Sequence, residues 1–317
     1  MPDKSLAISH TPVPEVGEND CLLEVKAIGV NRADLLQRDG NYPAPDGESL
    51  ILGIEASGIV RKVGAQVANW NSGDKVFGIV PGGAYAEFVK VRADQLMRIP
   101  ESLTYEQSAG VAEVFLTAHQ SLFWLAGIEA ENQVLIHAGA SGVGTAAIQL
   151  AKQVGASVTV TVGTDEKAAA CLALGADHAI NYHETDFVIW KDHRVPLGFN
   201  GIIDCIAGDY VNRNIAVSAM DARIVILAAL GGRFSEQTDI GNMLKKRVSI
   251  LASTLRNRSN AYKARLVADF NDKFGALLNS GVIRPVIYSV LHWESVEEAH
   301  SLLAENKNIG KVILTTS

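Results

Sequence analysis

Val134-Leu135-Ile136-His137-Ala138-Gly139-Ala140-Ser141-Gly142-Val143-Gly144-Thr145-Ala146-Ala147 is the stretch whose reading decides the fold. A hydrophobic strand breaks into a turn of small residues and restarts as a helix, which sets unpaired helix N-terminal amides beside a backbone that a pyrophosphate can approach. Gly139 is expected to permit the tight turn, and Gly144 to let the helix pack closely on the sheet. Ser141 stands where the usual G-x-G-x-x-G pattern has its middle glycine, so the context carries more weight than the pattern. That context is a helix over 145–155 followed by a second hydrophobic strand over 157–162. Ser141, Gly142 and Val143 are thus candidate phosphate-loop groups.

Outward from this turn the chain changes character near residue 115. Before it, strand-like runs at 21–30, 58–63, 75–80 and 85–91 alternate with Gly, Pro, Asn and Asp turns, the signature of a compact, mainly β domain. After it, strands at 134–137, 157–162, 178–181, 201–205 and 223–227 alternate with helical segments such as 145–155 and 165–175, which predicts a parallel sheet covered by helices on both faces. A further strand is expected over 246–252, then helices around 262–280 and 295–306 and a terminal strand over 311–315. The expected organisation is α/β, with a Rossmann-type nucleotide domain (117–259) inserted in a mainly β domain formed by 1–116 and 260–317.

The 317 residues are 48% hydrophobic, enough for two moderate cores, and the net charge of −7 offers no general attraction for nucleic acid or anionic membranes. The N-terminus lacks a secretory apolar stretch and no run reaches transmembrane length, so a cytoplasmic protein is expected. Cys21, Cys171 and Cys205 are odd in number and far apart, which favours reduced thiols over a disulfide framework or a zinc cluster.

Several short motifs then add up: Val30-Asn31-Arg32-Ala33-Asp34, Leu52-Gly53-Ile54-Glu55-Ala56-Ser57-Gly58, the turn from Gly139 to Gly144, Asp204-Cys205, Leu255-Arg256-Asn257-Arg258 and Asn306-Lys307-Asn308-Ile309-Gly310-Lys311. Together they make the chain similar to the zinc-independent medium-chain dehydrogenases/reductases. The similarity is strongest to the zeta-crystallin-like quinone oxidoreductases, including the inducible animal form. The resemblance implies a GroES-like mainly β catalytic domain, a Rossmann domain, an interdomain cleft where NADPH meets a quinone or other small conjugated acceptor, and a homodimer. It also matches Asn31 and Ile54 to positions that hold metal ligands in zinc-dependent relatives, leaving Glu55 without a zinc shell. Glu55 then reads as a turn or domain-interface carboxylate, or as a group that orients polar neighbours.

The resemblance places the Asn31 segment beside the nicotinamide, and the loop Gly40-Asn41-Tyr42-Pro43 at the acceptor. An amide orients an oxygen and a phenol donates to developing oxygen charge; the plain alternatives are a backbone cap for Asn31 and entrance packing for Tyr42. At the end of the second nucleotide-domain strand, Gly163 and Thr164 replace the carboxylate that accepts from an unphosphorylated ribose. Lys167 is the expected partner of a 2′-phosphate, opposed by Asp165 and Glu166, and the resemblance brings Tyr182 to the same end. Thr117 is expected at the carboxamide, or as a helix cap. Asn308, in the segment 306–311, is expected to close on the cofactor, or to belong simply to a helix end. His137 is expected to be structural. NADPH-dependent quinone reduction is the leading reading, with enone or enal reduction and a nucleotide-responsive, non-enzymatic binding protein as the alternatives.

Overall fold

The computed structural model describes residues 5–316 and divides them into two units, one running to Leu116 and resuming at Leu255, the other spanning Thr117–Thr254.

Six parallel strands build the second unit. Their order across the sheet is Ser249–Ala252, Ser218–Ile226, Phe199–Asp204, Gln133–His137, Ser157–Val162, His178–Asn181. The first strand in sequence is therefore central, with the chain moving outward to one edge and then to the other, so the strand order reverses beside it. In sheets of this kind the crevice at the carboxyl ends next to that reversal is where nucleotides bind. Val134, Leu135 and Ile136 are essentially fully buried, as expected of a strand covered on both faces. The helix Gly142–Gln153 follows, and Ala146, Ala147, Ile148, Leu150 and Ala151 are all buried along it. Leu135 packs in a cluster with Phe187, Phe199, Ile202, Ile215 and Ile224.

The first unit is organised by a seven-stranded sheet in which Asp20–Val30 pairs antiparallel with Glu55–Val63, Phe88–Arg92 and Lys311–Thr315. The last pairing sets Val30 opposite Val312, so the chain's late strand lies against its earliest one. The core combines Leu23, Val25, Ile28 and Val30 with Val60, Val89, Leu303 and Val312.

Two local features refine or correct the sequence reading. Gly139 lies in the expected tight turn, closed by the Ser141 N–H donating to the Ala138 carbonyl at 2.9 Å, and the left-handed residue of that turn is Ala138, at φ 53°. Glycine is required at 139 because an added Cβ would lie 2.5 Å from the Cβ of Val160. The segment 246–252 is not one strand: Lys246 ends the helix Ile240–Lys246, Arg247 is left-handed at φ 55°, and pairing begins at Ser249. Ser157–Val162, by contrast, occupies the predicted positions because alternating β-branched residues specify it from the local sequence. Elements without a clear sequence signal include the helices Arg32–Arg38, Phe187–Arg194 and Tyr210–Val217 and the strand Ile287–His292.

Leu135→Ala removes a fully buried side chain from the second unit's core. The expected loss is about 2–5 kcal/mol in a chemical-denaturation curve.

Candidate functional site

In the second unit the phosphate turn is shaped by close approach. Ser141 caps the helix Gly142–Gln153, its Oγ accepting from the Gly144 amide at 3.0 Å. A Cβ on Gly144 would fall 2.5 Å from the carbonyl oxygens of both Ala138 and Gly139. The Gly142 and Val143 amides belong to the first helical turn, where N–H groups have no intrahelical acceptor and the helix dipole favours an anion.

Behind the turn runs a buried polar chain. The His137 ring lies 2.9 Å from Thr161 Oγ1 on one side and 2.8 Å from Asn214 Oδ1 on the other. Asn214 donates to Asp204 Oδ2 at 2.9 Å, and Asp204 Oδ1 accepts from the amides of Ile206 and Ala207. Burial lowers the His137 pKa, which keeps the ring neutral and makes it a spacer between strand ends, in line with its structural reading.

At the neighbouring strand end, Gly163 lies beneath Tyr182: a Cβ there would sit 2.6 Å from the tyrosine oxygen. Thr164 caps the next helix by accepting from the Lys167 amide. Asp165, read from sequence as opposing a phosphate, accepts from Asn181 Nδ2 at 2.9 Å. Half-buried Lys167 has its pKa lowered by burial. Thr117 lies within the helix Ala112–His119 and its carbonyl accepts from Ser121 Oγ at 2.7 Å, so it does not begin a helix as the cap reading required.

The first unit holds a buried ionic group in which Asn31 and Glu55 are joined by a lysine that sequence reading missed. Lys311 Nζ, on a side chain 4% exposed, lies 2.7 Å from Glu55 Oε1 and donates to Asn31 Oδ1 and the Val30 carbonyl, both at 2.8 Å. Asn31 Nδ2 donates to Glu55 Oε1 at 2.9 Å and to the Gly29 carbonyl at 3.0 Å, while Glu55 Oε2 accepts from the Glu113 amide at 2.8 Å. Glu55 is fully buried at the start of a strand and holds Asn31, rather than sitting in a turn. Asn31 precedes the helix Arg32–Arg38, so the cap reading applies to its backbone: its N–H donates to Asp34 Oδ2 at 2.8 Å, while its side chain has the separate partners above.

Asp34 also accepts from the Gly53 amide and from the Tyr85 hydroxyl, which lies 3.2 Å from His300 Nε2. Burial raises the Asp34 carboxyl to about 6 despite these donors, and burial lowers His300 to about 4, helped by the charge of Arg38. Burial and then the Glu55 charge raise Glu113 to about 8.

Tyr42 lies with the Arg256 guanidinium 5.6 Å from its ring centre, and burial raises its phenol pKa. Asn308 donates to the Gly310 carbonyl at 2.6 Å, shaping the turn that delivers Lys311, the member of this motif that reaches the buried group. A cavity of about 670 Å³ beneath Leu6–Pro14 is lined by none of the sequence-predicted site residues. Among the described residues no three of His, Cys, Asp and Glu gather as a metal-binding group, and no helix is long and apolar enough to cross a membrane.

Comparison with known proteins matches residues 142–271 to the zinc-binding dehydrogenase family model and residues 17–101 to the alcohol dehydrogenase GroES-like domain. The chain is 29% identical over 314 residues to the human synaptic vesicle membrane protein VAT-1 homolog, covering 95% of the chain and 80% of that relative. Two solved structures align at a TM-score of 0.85 and 29% identity. One is an NAD-dependent alcohol dehydrogenase (98% of this chain, 95% of that one), the other the Escherichia coli quinone oxidoreductase complexed with NADPH (97% and 94%).

Two measurements check the electrostatics of the first unit. Lys311→Met leaves the Glu55 carboxylate buried without its cation, and is expected to cost about 3–5 kcal/mol in a denaturation curve. Glu113 holds its proton in the folded state between its ordinary value of 4.5 and about 8, whereas the unfolded chain releases it there. Native protein therefore binds more protons in that window, and stability falls as pH rises through it. Glu113→Gln is expected to flatten the slope of melting temperature against pH between 5 and 8.

Proposed function

Because the chain belongs to the medium-chain dehydrogenase/reductase family, we propose that it is a zinc-independent, NADPH-dependent quinone oxidoreductase. The carrying observation is the second strand end, where Gly163 and Thr164 stand in place of a ribose-binding carboxylate, Tyr182 closes over Gly163, and Asn181 engages the carboxylate of Asp165. With Asp165 so engaged, Lys167 is the cation that meets a 2′-phosphate, as a flexible point charge rather than a bidentate fork. The turn suits a pyrophosphate because Gly139 and Gly144 let strand, turn and capped helix approach closely, leaving the helix's first amides without intrahelical acceptors beside the bend.

NADPH when bound supplies the hydride. In the proposed assignment the amides of Gly142 and Val143 bind the pyrophosphate, the Ser141 hydroxyl keeps its hydrogen to donate, and Thr117 orients the carboxamide. Asn31 acts as a positioning residue, its amide fixed by Lys311 and Glu55. Tyr42 stays a protonated phenol at neutral pH, since burial raises its pKa, and so donates a hydrogen bond to oxygen charge developing on the acceptor. A quinone suits this set: its developing phenolate demands less polarisation than the alkoxide of a simple ketone. The likeness to the E. coli quinone oxidoreductase supports the acceptor class.

Anaerobic product analysis with NADPH, offered quinones, conjugated alkenals or no acceptor, tests the reading; hydroquinone is the expected product, and reduction of alkenals alone would refute the quinone assignment. Activity is expected to survive exhaustive chelation in protein that remains folded, and loss reversed by stoichiometric zinc would refute zinc independence.

Lys167→Ala is expected to weaken NADPH more than NADH, by about 1–3 kcal/mol in the difference of the two titrations. Equal losses for the two cofactors would remove the phosphate role.

A further inference from the structure

Leu255-Arg256-Asn257-Arg258 has no part in the function proposed so far, yet the structure buries Arg256 to 4% exposure and Lys263, on the helix Asn260–Asn279, to 5%. Arg256 Nε donates to the Pro81 carbonyl at 2.6 Å and Nη1 reaches the Tyr42 carbonyl at 3.5 Å, while the buried Nη2 has no hydrogen-bond partner. No carboxylate lies within ion-pairing distance of either cation among the described residues. The surrounding charges are Glu48, Glu113 and, for Arg256, Asp34, all acting at longer range. Burial is the main cause lowering the pKa of both cations, and for Lys263 the charge of Arg256 lowers it further. Glu113, held protonated to about 8, neutralises neither cation at neutral pH. Burying two cations without a paired anion is costly, and an unpaired buried donor adds to that cost. The stacked Tyr42 ring, 5.6 Å from the guanidinium carbon, offers an aromatic wall beside them.

We infer that Arg256 and Lys263, with the Tyr42 ring, form a subsite for an acceptor that joins an aromatic or conjugated face to an anionic group such as a carboxylate. The inference rests on the reading of Tyr42 as an acceptor residue. The anion completes the charge balance that the protein leaves open, with the guanidinium held in place by Pro81 and Tyr42. The same cations are also suited to a cofactor phosphate, and the test separates the two sources.

Isothermal titration calorimetry of the full chain uses naphthalene-2-carboxylate against naphthalene-2-carboxamide, so it needs no turnover and is independent of whether quinones are reduced. The carboxylate is expected to bind at least tenfold more tightly. Arg256→Gln and Lys263→Gln should each bring the two ligands to within about threefold, while Arg256→Lys keeps the preference. NADPH titrations of the same variants are expected to stay within twofold of the parent. Should Arg256→Gln fail to fold by near-ultraviolet circular dichroism, Lys263→Gln and Arg256→Lys carry the test. Equal binding of acid and amide by the parent protein overturns the subsite. So does a tenfold loss of NADPH affinity in the glutamine variants with acid-over-amide preference intact, which assigns the cations to a cofactor phosphate. Failure of quinone reduction with this preference present would count against the quinone-reductase reading alone.

Discussion

The contact between Lys311 and Glu55 constrains the first unit more than any other single interaction. Two opposite charges, one 4% exposed and the other fully buried, meet at 2.7 Å with Asn31 bonded to both. Such a pair gains little over an apolar replacement in stability, because desolvating both ions offsets most of their attraction, but losing either partner strands a charge. Its value lies in geometry. The late strand Lys311–Thr315 must pair with Asp20–Val30 in one register for the ammonium to reach the Val30 carbonyl and the Asn31 amide together. A slip by one residue would turn the lysine to the opposite face of the sheet. The register of the sheet and the orientation of Asn31 are therefore set by the same buried charge.

Glu55 carries that constraint further. One carboxylate oxygen is taken by Asn31 and Lys311, the other by the Glu113 amide at the start of the helix Ala112–His119. The carboxylate's orientation also fills space with care: a Cβ on Gly29 would lie 2.3 Å from Glu55 Oε1. Gly29 therefore needs the absence of a side chain, not special backbone freedom, since its φ is not among the positive values.

What was legible in the sequence follows from how local each cause is. The phosphate turn can be read because strand, small-residue bend and cap are specified within about a dozen residues, and each demands a particular residue type. The alternation of strands and helices after residue 115 is legible for the same reason, and it sufficed for a parallel sheet covered by helices, though not for the order of its strands. Lys311 was visible only as the last letter of a motif, since its partners lie 256 and 280 positions away in sequence and a lysine beside a turn ordinarily reads as solvated. At Gly139 the tight turn is legible, whereas the close approach to Val160 on a neighbouring strand leaves no local trace. Arg256 stood in a recognised motif, but the burial that gives it meaning depends on Pro81 and Tyr42, both far away in the chain.

The two units handle charge by different physics, and the difference decides which of them responds to pH. In the second unit the groups that face an anion are backbone amides and a helix terminus, and the histidine behind them is held neutral by burial. Peptide dipoles do not titrate, so the turn keeps its potential across the physiological range. In the first unit the polarity comes from buried ionisable side chains, among them Asp34 raised to about 6 and Glu113 raised to about 8. Raising pH through that interval adds negative charge around Tyr42, Arg256 and Lys263 and draws down the net positive potential there. Anion affinity at the cationic pair is thereby coupled to the protonation of Glu113, whereas the peptide dipoles of the phosphate turn have no such titrating neighbour in their own mechanism. A weakening with rising pH that appears for a carboxylate ligand but not for pyrophosphate binding would follow from this division alone, because only one of the two anion sites is built from groups that exchange protons.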